Sequence, residues 1–76
     1  MARAYLKINV EPGKERTVRN QLLERKNVIQ ADLTSGEQDI IALVEADNYE
    51  QLMNFVVTEL RPIDGIIKTV TNLVLE

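Results

Sequence analysis

Ile40-Ile41-Ala42-Leu43-Val44 decides the fold. Successive side chains of a strand point to opposite faces, so five apolar residues in a row make both faces apolar, the pattern of a central strand covered on each side. The run is far too short to cross a bilayer. Just upstream, Ser35-Gly36-Glu37-Gln38 supplies turn chemistry, and before it Val28 to Thr34 alternates with Ile29, Ala31 and Leu33 on one side. Two strands joined by such a turn read as a hairpin.

Working outward toward the N-terminus, Ala4, Leu6, Ile8 and Val10 alternate with Tyr5, Lys7 and Asn9, a half-buried strand that Glu11-Pro12-Gly13 interrupts. Residues from about Lys14 to Lys26 then place Val18, Leu22 and Leu23 on one side of a helix whose other positions are a solvated face. On the C-terminal side, Asp47 and Glu50 have the spacing of a capping box. Tyr49, Leu52, Met53, Val56, Val57 and Leu60 follow at helical spacing. Arg61-Pro62 ends that helix, Asp64-Gly65 turns the chain, and Ile66 to Leu75 reads as a last strand. The order βαββαβ describes an α+β, ferredoxin-like fold: a four-stranded antiparallel sheet with both helices on one face. One small chain covers only one face of such a sheet. The second apolar face of the third strand therefore calls for another subunit.

Composition points the same way. A chain of 76 residues has room for one domain and buries only about 60% of its unfolded surface, so it is marginal without help. It has no cysteine and no histidine, which removes disulfides, thiolate zinc sites and the usual proton-transfer side chain near neutral pH. Self-association is the stabiliser left. A formal net charge of -3 argues against direct nucleic-acid binding, because duplex affinity rests on cations that neutralise phosphates. The N-terminus carries charges within its apolar stretch, unlike a secretory signal, so a cytoplasmic location without membrane association is expected.

Catalytic readings lack parts. With no His, no Cys and Ser35 alone in a turn, no nucleophile can be paired with a base, and the twelve acids have the spacings of caps, turns and solvated faces. Gly13-Lys14-Glu15-Arg16-Thr17 lacks the upstream glycine of a phosphate-binding loop. No enzyme and no cofactor is expected. The stretch with chemistry to offer is Thr34-Ser35-Gly36-Glu37-Gln38-Asp39: a glycine turn can present backbone N–H groups to a carboxylate while Asp39 pairs with an ammonium. Those are the charged ends of a free amino acid. The same stretch also reads as an ordinary hairpin turn. Thr69 and Thr71 share a side of the last strand, where hydroxyls can bond a ligand or simply occupy a sheet.

Three segments together resemble the ligand-binding domain of the leucine-responsive/asparagine-responsive (Lrp/AsnC) regulator family: Ala4 to Gly13, the Thr34-Ser35-Gly36-x-x-Asp39 turn with Ile40 to Val44, and Ile63-Asp64-Gly65-Ile66 leading to Thr69-x-Thr71. The resemblance spans about Ala4 to Glu76 and implies a single effector-binding domain over residues 1–76, without the helix-turn-helix of longer members. It implies dimers of the α+β barrel type, joined through their sheets, and higher assemblies such as octamers. An amino-acid effector would lie between dimers, held by Gly36, Gln38 and Asp39, with Thr69 and Thr71 from the same or a neighbouring subunit. Asp39→Ala would then abolish the response and leave the fold intact. Gln38 stands where an aromatic residue is common in the family, and Lys26-Asn27 replaces the usual proline-containing junction. The function implied is an amino-acid-sensing module that modulates transcription through assembly with full-length regulators. A ligand-free structural partner of such regulators is the first alternative. A small enzyme on the same fold, such as an acylphosphatase or a dimeric-barrel monooxygenase, is the second.

Overall fold

A computed structural model describes residues 1–75. Strand β1 (Ala2–Val10) leads into helix α1 (Glu15–Leu23), the hairpin of β2 (Val28–Leu33) and β3 (Ile40–Ala46), helix α2 (Tyr49–Phe55) with a π-helical turn (Val56–Leu60), and β4 (Ile66–Leu73). The sheet order is β2-β3-β1-β4, with every pairing antiparallel. This is the ferredoxin-like arrangement expected from the order of elements.

Cross-strand partners share a face, so the register assigns every strand residue to a side. Ala4, Leu6 and Ile8 of β1 sit opposite Val44, Ala42 and Ile40 of β3, and all six are fully buried. They join Val18 and Leu22 of α1 with Leu52, Phe55, Val56 and Leu60 of the second helical segment in one core. α1 packs against β2, and α2 against β3 and β1. Burying each large aliphatic side chain contributes about 1.5–3 kcal/mol.

The periodicity placed several residues wrongly. The α2 cap is Asn48, whose side chain accepts from the Gln51 N–H at 2.8 Å, one residue beyond the expected Asp47. The buried stripe is Leu52, Phe55, Val56 and Leu60, at i, i+3, i+4 and i+8, so Phe55 joins the core while Tyr49 and Val57, expected on it, are about half exposed at its edges. Leu23 of α1 also faces out. In β2 a register shift between Val28 and Gln30 brings Val28, opposite Val44, into the core and leaves Ile29 exposed.

Candidate functional site

The end of the sheet at the C-terminus of β1 gathers segments far apart in sequence. On one side of β1 lies the β2–β3 turn: the Asp39 N–H donates to the Ile8 carbonyl at 3.0 Å. On the other side lies the Asp64-Gly65 turn, where the Glu11 N–H donates to the Gly65 carbonyl at 2.8 Å. Lys14 at the start of α1 ties this corner together, with its Nζ 3.1 Å from Asp64 Oδ2 and 3.4 Å from Glu11 Oε2. The hydrogen bonds to Asp64 and then Glu11 raise the lysine pKa above its ordinary value. Gly65 has φ +101, and a Cβ there would lie 3.0 Å from Lys14 Cδ and 3.1 Å from Val18 Cγ2. Only glycine allows both that backbone and the close approach of α1.

Besides the Asp39 to Ile8 bond, four hydrogen bonds hold the β2–β3 turn. The Thr34 N–H donates to the Asp39 carbonyl at 3.0 Å and the Thr34 hydroxyl to the Gln38 carbonyl at 2.8 Å, closing the loop on itself. Asn9 Nδ2 donates to the Glu37 carbonyl at 2.6 Å, and the Val10 N–H donates to Asp39 Oδ2 at 2.9 Å, tying the loop to β1. Gly36, at φ +102, is exposed and has nothing within 4 Å of where a Cβ would be. Asp39 therefore has two tasks available to its two oxygens. One accepts the Val10 N–H, a bond the sequence did not reveal, so alanine at this position is expected to cost stability as well as the response.

Gln38 is half-buried within the turn. Thr69 and Thr71 lie elsewhere. Opposite Ile8 and Leu6, they are half-buried on the helix-facing side of the edge strand β4. Ile8 in turn sits opposite Ile40, so Thr69 is two strands from the end of the turn, roughly 10 Å at ordinary strand spacing, and Thr71 is farther still. One chain thus brings Gly36, Gln38 and Asp39 together and leaves the threonines apart. Asn9 and Thr34 were missed as turn-holding residues; the only signal in the sequence was a polar residue near the end of β1 and another at the mouth of the turn.

Two grooves open elsewhere. One of about 430 Å³ lies at the opposite end of the sheet between Asn27, Glu45, Asp47, Gln51 and Phe55. The other, about 390 Å³, is formed by Gln21, Arg25, Thr58, Pro62 and Asp64. Neither is lined by the turn residues or the two threonines. Among the described residues no group of three or more acids could hold a metal ion, and no helix is long and apolar enough to cross a membrane.

A family model described as the Lrp/AsnC ligand binding domain matches residues 3–76. Among solved structures, FFRP-DM1 is similar over 99% of this chain and 100% of its own, with 32% identity and a TM-score of 0.95. The hypothetical protein PHS023 from Pyrococcus horikoshii is also 32% identical, with 100% of this chain and 92% of its own covered and a TM-score of 0.94. A transcriptional regulator from Neisseria meningitidis, solved as its L-Met complex, shares the fold at a TM-score of 0.86 with 16% identity. The match covers 99% of this chain and 50% of that regulator, so the chain spans about half its length. Among curated protein sequences none matches significantly.

Proposed function

Because this chain belongs to the Lrp/AsnC ligand-binding domain family, we propose that it is an amino-acid-sensing module that oligomerises and modulates transcription through assembly with full-length regulators. The observation that carries this reading is the Gly36 to Asp39 turn. It is locked to β1 through Asn9 and Val10, leaves Gly36 exposed, and has a carboxylate beside it with one oxygen not engaged by Val10. Backbone N–H groups at Gly36 suit an α-carboxylate, and Asp39 suits an α-ammonium. The L-Met complex of the Neisseria meningitidis regulator, which has the same fold, supports a free amino acid as the ligand class.

The half-buried Gln38 sets one wall of this site. Thr69 and Thr71 complete it from a neighbouring subunit, because the chain that carries the turn holds its own threonines about two strands away. A site divided between subunits couples occupancy to assembly. An effector that binds one assembly state about a hundredfold better shifts the balance by roughly 2.7 kcal/mol, enough to change the dominant species when the states are closely matched.

Thermal unfolding with each amino acid at millimolar concentration tests this. A ligand at a hundred times its dissociation constant adds about 2.7 kcal/mol, a rise of roughly ten degrees or more for a domain this small. Asp39→Asn should keep an acceptor for the Val10 N–H yet lose the charge that holds the ammonium, so the fold persists and the rise disappears. An equal rise in that variant would remove Asp39 from the site. No rise with any amino acid in the parent protein would favour the ligand-free structural partner.

A further inference from the structure

The backbone of the β2–β3 turn is held in one orientation, and a residue that sets that orientation lies on another strand. Asn9 stands near the end of β1 and is half-buried. Its Nδ2 donates to the Glu37 carbonyl at 2.6 Å, from 28 residues away in sequence. The Thr34 hydroxyl donates to the next carbonyl, that of Gln38, at 2.8 Å, and the Asp39 N–H is engaged by the Ile8 carbonyl at 3.0 Å. Two successive peptide planes are therefore pinned, Glu37–Gln38 by Asn9 and Gln38–Asp39 by Thr34 and Ile8. Among the described residues, the N–H groups of Gly36, Glu37 and Gln38 find no acceptor within the chain.

A trans peptide holds its C=O and N–H on opposite sides, and the chain has no cis bond. With the Glu37 carbonyl drawn to Asn9, the Gln38 N–H of the same plane points away from Asn9 and is left without a partner. A donor held in this way has its direction fixed before anything binds. The bond at its carbonyl also polarises it, because hydrogen bonds in a chain strengthen one another. Without Asn9 the Glu37–Gln38 plane of an exposed loop is free to rotate. Binding would then have to order that plane as well, and ordering opposes affinity.

We propose that Asn9 is a positioning residue of the effector site, holding the Glu37–Gln38 peptide so that the Gln38 N–H donates to the effector's carboxylate. The inference rests on the amino-acid-sensing reading given above and adds to it this donor and the residue that aims it. The Asn9 bond is exposed and is one of several that hold the turn. Its loss should therefore weaken binding more than it weakens the fold.

Amide NMR of the 15N-labelled parent chain, with each of the common amino acids at millimolar concentration, tests the donor. An amino acid that binds should move the Gln38 amide proton downfield, and the same compound with its carboxylate converted to a carboxamide should leave it in place. Asn9→Leu keeps the size of the side chain and removes the donor. Its dissociation constant for that amino acid should rise at least about tenfold, which corresponds to about 1.4 kcal/mol, while its urea midpoint stays close to the parent's. Histidine places Nδ1–H at the same remove from the backbone as asparagine Nδ2. Measured above the imidazole pKa, where the ring is neutral, Asn9→His should return the dissociation constant to within about threefold of the parent's. Unchanged affinity in Asn9→Leu, no recovery in Asn9→His, or a Gln38 amide that stays in place while an amino acid binds overturns the proposal. A loss of stability in Asn9→Leu as large as its loss of binding also overturns it, by reducing Asn9 to a purely structural residue. A parent chain that binds no amino acid overturns it by removing the sensing reading beneath it.

Discussion

Asp39, proposed above to hold the effector's ammonium, has structural work as well. Its Oδ2 takes the Val10 N–H at 2.9 Å, in place of the carbonyl that a continuous ladder would supply. Asp39→Ala should therefore cost about 1–3 kcal/mol, the cost of a part-buried donor left unmade, and Asp39→Asn should cost much less. Urea midpoints of the two variants check this, and equal losses would mean that the bond to Val10 adds nothing. The tertiary contact was hidden from the sequence, where Val10 and Asp39 are 29 residues apart. The turn itself was legible, because Gly36 among polar neighbours marks a backbone that L side chains rarely adopt. Gly65 was legible in the same way, but its close approach to Lys14 and Val18 depends on where α1 packs.

Among the elements, the strands of alternating or continuous apolar residues were found within a few residues of their ends, since pleating imposes a period of two whatever surrounds it. The helical segment after β3 was harder. Its sequence offers apolar residues on both sides of Leu52, Val56 and Leu60, and which flank joins the core, Phe55 and not Val57, is set by how the helix rolls on β1 and β3. Its N-terminus is set by Asn48, extended at φ -148 and ψ 172 and capping Gln51. Asn48→Ala should lower stability by about 1 kcal/mol, while Asp47→Ala should change it little because Asp47 is exposed and caps nothing. Chemical denaturation distinguishes the two: a larger loss at Asp47 would return the cap to that residue. The bulge in β2 has the same lesson. Val28 enters the core because β3 has one residue fewer over the same span, a fact about pairing and not about β2 alone.

The whole molecule has its core on one side of the sheet and an apolar middle, Tyr5, Ile41, Leu43 and Val70, on the other. A lone subunit should for that reason be less stable than an assembled one, and its melting temperature should rise with protein concentration between about 5 and 500 µM, as mass action requires when only the folded state associates. A melting temperature independent of concentration, with all the protein monomeric, would show that the sheet needs no cover. The sequence by itself determined the element order, the ferredoxin-like topology and the turn from Gly36 to Asp39. These follow from local periodicity and turn chemistry. Only the tertiary structure decided that Asp39 is shared with Val10 and that Thr69 and Thr71 lie apart from the turn on the helix-facing side. Each depends on which strands are neighbours and in what register, and register is a property of pairs of segments that no single stretch of sequence contains.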